Sequence, residues 1–449
     1  MQSITPALAP LPRILAMLFA AALLALAPAA AANEGALAFP GAQGWAAHTP
    51  GGRGGRIIRV TTLDAKGPGS FTEAVEAKGP RIVVFEVGGV IDLGVETVRI
   101  DEPFLTIAGQ TAPQPGITLI RGGLVIAAHD VVVRHIRVRP GEAGRAKREG
   151  PDFDAITTMR GARDVIVDHC SLTWATDENL SASSTRFAGE TPEEWLQNAS
   201  RRITFSNNIL AEGLADSVHP KGEHSKGTLI HDHVNDVLIV GNLYAHNMER
   251  NPLFKGGARG QVINNLIYNP GQKAVHYNLI AEEWIDRQPY QPGQMVLRGN
   301  VMRAGPDTGE LAFFMLGGSG DMELYAEDNL VVDRIGEPLP QTGSYTTAPA
   351  ELIRLRRAPE LPFGVEPLPA AQVQDAVIAD AGARPWDRDQ IDRRIVADVI
   401  EARGAIIDSE QEVGGYPDHA ETRQAFVEAD WDLETMEPLR PLPRGEPLR

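Results

Sequence analysis

From Arg81 to Asp333 the chain is a succession of short, β-branched apolar segments, each stopped by Gly, Asn, Asp or Pro. Among them are Ile82-Val83-Val84-Phe85, Leu105-Thr106-Ile107, Val131-Val132-Val133, Val165-Ile166-Val167, Ile203-Thr204-Phe205 and Val237-Leu238-Ile239-Val240. Segments this short, with few helical periods between them, predict an all-β protein. One recurrent unit separates a solenoid from a sandwich: Asn208-Ile209-Leu210, Asn242-Leu243-Tyr244, Asn265-Leu266-Ile267, Asn300-Val301-Met302 and Asn329-Leu330-Val331. These asparagines are 34, 23, 35 and 29 residues apart. Irregular periods of roughly 20 to 50 residues predict stacked coils with variable loops on one face. A turn Asn tolerates left-handed φ, and stacked copies can form a ladder between rungs.

The ends break the pattern. Residues 1–32 carry one charge, Arg13, followed by the apolar run Ile14 to Ala27 and small residues from Pro28 to Ala32. That is the order of a secretory signal, and a run of about 14 residues is short of the roughly 20 a membrane span needs. The expectation is a secreted or periplasmic protein with no membrane attachment after removal of residues 1–32. Residues 33–80 are Gly-rich and contain Ser70, placed to N-cap a short helix with Glu73 at the capping-box position. This segment is expected to cap the solenoid and supply its first coil. Residues 81–344 form the predicted β-helix. Residues 345–449, rich in Pro and charge, are expected to wrap as a partly irregular tail with one helix from Asp387 to Arg403.

Charge and cysteine content narrow the function. The formal charge of −17, with no basic stripe, argues against a nucleic-acid partner. It also means that an acidic polysaccharide could be held only by a local basic cluster or a bound cation. Cys170 is the only cysteine, so no intramolecular disulfide exists and stability must come from packing.

Three patches carry candidate chemistry. Asp168-His169-Cys170-Ser171-Leu172-Thr173-Trp174-Ala175-Thr176-Asp177-Glu178 places one carboxylate at a strand end and two more about nine residues on. Asp168 with Asp177 or Glu178 on adjacent coils could supply the oxygens that Ca²⁺ requires. A solvated acidic loop meets the same spacing. Arg250-Asn251-Pro252-Leu253-Phe254-Lys255 sets two cations around a Pro that suits a strand edge or bulge. The region from Ser217 to Gly227 holds His219, Lys221, His224 and Lys226, a basic density unusual in so acidic a chain.

These residues, with Phe39-Pro40-Gly41-Ala42-Gln43-Gly44, Gly67-Pro68-Gly69-Ser70-Phe71 and Leu105-Thr106-Ile107-Ala108-Gly109-Gln110-Thr111-Ala112-Pro113, resemble the pectate lyase family, polysaccharide lyase family 1. The resemblance covers about half the chain. It implies a right-handed parallel β-helix and Ca²⁺-dependent β-elimination of α-1,4-linked polygalacturonate. It further implies Asp168 and Asp177 as Ca²⁺ ligands, with Ser181 standing where many members have a third Asp and Glu178 in a position to compensate. By the same resemblance Arg250 is the catalytic base, and Lys226 and Lys255 bind substrate. Lys255 replaces an Arg of the family pattern and so loses bidentate carboxylate recognition. His219 and His224 join the expected substrate-binding set. A polygalacturonase-type hydrolase would need clustered Asp pairs and Gly-His-Gly and Arg-Ile-Lys runs, and neither tripeptide occurs. A non-catalytic β-helix adhesin or glycan-binding protein would keep the Asn turns but has no need of Arg250, whereas a lyase for another uronate polymer would keep both. The expected partner is pectate, and the expected state a monomer.

Overall fold

The computed structural model describes residues 35–442, so the signal-like segment 1–32 lies outside the described residues. Each coil lays one strand on each of three sheets, which have 11, 10 and 9 strands among the described residues. One coil runs through Arg163–Asp168 in the first sheet, Ser171–Thr173 in the second and Glu178–Ala182 in the third. The next repeats it with Arg201–Ser206, Ile209–Ala211 and Lys226–Ile230, in parallel register (Val165 beside Ile203, Leu172 beside Leu210, Ser181 beside Leu229). The molecule is a right-handed parallel β-helix. Alternation sends Val165, Val167, Leu172, Leu180 and Ala182 into one continuous apolar core. Each such large side chain contributes roughly 1.5–3 kcal/mol on burial.

The expected Asn ladder forms at the tight corner between the first and second sheets. The Oδ1 of Asn242 accepts from both N–H groups of Asn208, backbone and side chain, at 2.9 Å each. Asn265, Asn300 and Asn329 continue the series at 2.9–3.0 Å. The ladder Asn is not, however, the left-handed residue. Positive φ falls one residue earlier, on Asn207, Gly241, Asn264, Gly299 and Asp328. The corner therefore uses two residues, one to turn and one to bond the next coil. Cys170 occupies the ladder position one coil before Asn208, whose Oδ1 takes its backbone N–H at 2.8 Å.

The flanks cover the solenoid. Ser70 caps the helix Phe71–Glu76 by accepting from Glu73 N, but Glu73 Oε2 accepts from Gly69 N at 2.7 Å rather than closing the box on Ser70. Strand Leu352–Arg354 still belongs to the first sheet, so the coils run past residue 344. The tail holds the helix Gln390–Ile400, capped by Asp389, and a second helix, Ala370–Asp380, that was not anticipated. Both pack on the outer face of the second sheet, where Val373, Val377, Ile395 and Val399 meet Ile209, Leu243 and Leu266. Buried Arg139 clamps the layer through Asp389 at 2.6 Å and Asp392 at 2.9 Å. Among the described residues no helix is long and apolar enough to cross a membrane.

Candidate active site

Long connections, such as that from Ala211 to Lys226, join the second sheet to the third, and charged groups gather where the chain enters the third sheet. Ile156 pairs with Leu180, which brings Asp154 level with Glu178; Glu178 N donates to Asp154 Oδ1 at 2.9 Å. Glu178 is in register with Lys226 on the following coil, and Lys226 with Glu249 on the one after. Asp154, Asp177 and Glu178 each place a carboxylate oxygen within 4.8 Å of the other two.

Three carboxylates this close, away from bulk water, resist joint ionisation. Burial pushes Asp154 up to about 8, the neighbouring Asp177 charge adding to the effect, while hydrogen bonds from Ser181 and Thr157 oppose it. Burial acts the same way on Asp177, but His219, Arg250 and His224 outweigh it and hold that carboxyl below its usual range. The rings of His219 and His224 stack with centroids 3.5 Å apart, and their Nε2 atoms lie 3.7 and 3.4 Å from the two oxygens of Asp177. Lys221 N–H donates to His219 Nδ1 at 3.1 Å, which leaves Nε2 turned toward the carboxylate. The donor set Asp154, Asp177 and Glu178, with the Ser181 hydroxyl beside it, is hard oxygen throughout and fits Ca²⁺.

Arg250 completes the cluster. Its φ of 63° turns the chain immediately before strand Leu253–Lys255, and its guanidinium contacts Glu178 across the sheet. Arg250 Nε is buried without a hydrogen-bond partner, 4.0 Å from Glu249 Oε1. Burial lowers the guanidinium below its ordinary value, and the charges of Asp177 and Asp154 pull the other way. Glu249 is the hub of the cationic side: Lys226 Nζ lies 2.5 Å from its Oε1 and Lys273 contacts its Oε2. Burial would raise Glu249, but His276, Lys226 and Lys273 bring it down to about 2.

No family model matches the chain. The probable pectate lyase C of Neosartorya fischeri is 33% identical over 401 residues, which cover 88% of this chain and 84% of that protein. The chain belongs to the pectate lyase family. That places it among the polysaccharide lyases. The probable pectate lyase C of Emericella nidulans is 36% identical over 308 residues, 68% of this chain; the chain spans less than two thirds of that relative, 62%. Among solved structures, a pectate lyase of Bacillus subtilis aligns over 76% of this chain and 96% of its own with a TM-score of 0.50 and 15% identity, a likeness of fold.

Within this family the expected site residues divide. Asp177, Glu178, Lys226 and Arg250 meet at one place. Asp168 does not join them, a correction to the expected ligand set. It ends a strand of the first sheet, and each of its oxygens already has two donors. Arg134 Nε at 3.0 Å and His169 Nδ1 at 2.7 Å take Oδ2; Ser206 Oγ at 2.8 Å and Asn207 Nδ2 at 3.2 Å take Oδ1. The metal-ligating neighbours of Asp168 are His135 and His169, not Asp177 or Glu178. Lys255 stands at the far end of its strand from Arg250, 2.5 Å from Glu283 and 3.9 Å from Asp232. His219 is fully buried, and it and His224 lie against Asp177, the three side chains close enough to share one ion. Sequence reasoning missed Lys273, on the cationic side, and Asp154. The only signal for Asp154 was that it precedes Ile156 by two residues, as Glu178 precedes Leu180 on the next coil.

Proposed function

We propose that this lyase cleaves pectate-type polygalacturonate by Ca²⁺-assisted β-elimination, with Arg250 as the base, and that it acts outside the cytoplasm after loss of residues 1–32. The observation that carries the reading is the contact of Arg250 with Glu178 at the edge of the Asp154, Asp177 and Glu178 cluster. The names of the relatives support the substrate class.

Asp154, Asp177 and Glu178 would hold the cation. When bound, Ca²⁺ supplies positive charge against a uronate carboxylate and makes the adjacent C5 proton more acidic. Arg250 removes that proton. The C5–H pair becomes the C4–C5 double bond, the C4–O bond breaks, and the leaving oxygen takes up a proton. Lys226 and Lys273 set positive potential beside the reacting carboxylate while charge accumulates on it. A guanidinium is an unfavourable base at its ordinary pKa, above 12. Here burial already lowers it, and the opposing carboxylate charges are those a divalent cation neutralises.

Polygalacturonate incubated with the protein should yield an ultraviolet-absorbing unsaturated product, abolished by a chelator and restored by added Ca²⁺. Product formation that persists in excess chelator would overturn the cation assignment. Reducing ends formed without the unsaturated chromophore would overturn elimination.

A further inference from the structure

The third sheet has a second charged cluster at the opposite end of its strands from Arg250. Lys255, at the end of strand Leu253–Lys255, and Arg186, in the connection after strand Glu178–Ala182, converge on a single oxygen of Glu283. Lys255 Nζ lies 2.5 Å and Arg186 Nη2 3.1 Å from Glu283 Oε2. Beneath them Asp232 is fully buried, 3.2 Å from Arg186 Nε and fixed by the indole N–H of Trp284 at 2.7 Å. Lys255 and Arg186 are largely shielded as well, with 11% and 26% of their side chains exposed.

The ion contacts are close but poorly formed as hydrogen bonds. Glu283 Oε2, Asp232 Oδ2 and Arg186 Nε are all buried atoms without a hydrogen-bond partner. Native buried charges are normally satisfied, because an unmet polar group costs about 1–3 kcal/mol. The four charges sum to zero only with Glu283 in place. Asp232 is locked by Trp284, whereas Glu283 belongs to a single 3₁₀ turn, Ala281–Trp284, at the surface. Removing Glu283 leaves two cations facing one carboxylate, a site of net charge +1. One oxygen held by a guanidinium and an ammonium is how a protein grips a foreign carboxylate.

We propose that Arg186 and Lys255 form a second uronate-carboxylate subsite of the substrate groove and that Glu283 fills it in the ligand-free protein, as an internal competitor. Five residues separate Lys255 from Arg250, at most about 16 Å at 3.3 Å per residue. A polyuronate carries a carboxylate on every sugar, so one unit sits at Arg250 while a neighbouring unit reaches Arg186 and Lys255. Arg186 then restores the planar fork that a lysine at position 255 lacks. The inference rests on the lyase reading above.

The test compares wild type, Glu283→Gln, Arg186→Ala and Arg186→Lys on polygalacturonate. Glu283→Gln should lower KM on polygalacturonate and Arg186→Ala should raise it, each on the order of tenfold, the scale of one charge-assisted contact. Arg186→Lys should fall between wild type and Arg186→Ala. The change should reside in KM and leave kcat within about twofold. Calorimetric binding of trigalacturonate to the same variants in an Arg250→Ala background gives the affinities free of turnover, and urea midpoints identify any variant that does not fold. A KM on polygalacturonate that Glu283→Gln leaves unchanged or raises, or effects that fall on kcat instead of KM, overturns the subsite. Absence of unsaturated product from the wild type overturns the lyase reading instead.

Discussion

Ser181 donates its hydroxyl to Asp154 Oδ2 at 2.5 Å, across two adjacent coils of the third sheet. The family resemblance leads one to expect a carboxylate at position 181, and the structure places a hydroxyl there against a carboxyl already pushed up to about 8. Thr157 and Ser181 share a further hydroxyl–hydroxyl hydrogen bond of 2.6 Å. Ser181→Asp would set a fourth carboxylate into the cluster. Ca²⁺ affinity should rise, by roughly tenfold for one added charge contact. The cation-free protein should lose about 1–3 kcal/mol through like-charge repulsion and the lost bond. Calcium titration by calorimetry and urea unfolding in chelator measure the two effects. Unchanged affinity would place position 181 outside the cation site.

Asp154 also makes a pH prediction. Its folded value of about 8 lies above the ordinary 3.8, so between those limits the folded state binds more protons than the unfolded state. Stability of the cation-free protein therefore falls as pH rises through that window. Asp154→Asn should flatten this dependence, because the amide keeps the Ser181 contact and has nothing to ionise. Urea midpoints at acid and mildly alkaline pH, in chelator, provide the check. Added Ca²⁺ should restore wild-type stability at the alkaline end and do little for Asp154→Asn.

Much of the fold could be read from sequence because a solenoid writes its period into local residues. Val165-Ile166-Val167 and Ile203-Thr204-Phe205 are strands by composition, and Asn208, Asn242 and Asn265 mark one corner of successive coils. The tail was harder to read. The helix Ala370–Asp380 buries only Ala370, Val373 and Val377 and has no side-chain cap, so its periodicity is faint without the sheet it covers. The site was half legible for a related reason. Asp177, Glu178 and Arg250 lie in dense local motifs. Asp154 is an isolated acid whose role depends on the register of Ile156 with Leu180, which no local pattern encodes. Asp168 misled in the opposite direction: its motif is conspicuous, but Arg134, Ser206 and Asn207, 34 to 39 residues away, hold it.

That contrast can be measured. Asp168→Asn should leave Ca²⁺ affinity within about twofold while costing roughly 3 kcal/mol of stability, since buried Arg134 loses one of its two carboxylate partners and keeps only Glu437. Asp177→Asn should weaken Ca²⁺ binding by more than about tenfold at a smaller cost in stability. The two variants thus exchange rank between a calcium titration and a denaturant titration. A large loss of affinity in Asp168→Asn would return that residue to the cation site.

Arg250 gives the most direct test of the chemistry. A positioned general base contributes about 10²–10⁴ in rate, so Arg250→Ala should lose kcat on that scale while still binding polygalacturonate. The informative variant is Arg250→Lys. In wild type, burial lowers the guanidinium, and the rate should climb with pH as its neutral form becomes populated. An amine at the same position has an ordinary pKa near 10.4, about two units below the guanidinium. If proton abstraction limits turnover, the alkaline limb of kcat for Arg250→Lys should shift to lower pH, even though the shorter side chain reduces the maximal rate. If Arg250 only supplied positive charge, Arg250→Lys would keep the wild-type profile at reduced height. A kcat for Arg250→Ala within tenfold of wild type would remove Arg250 from the chemistry and leave Lys226 as the base candidate held nearest the same carboxylates.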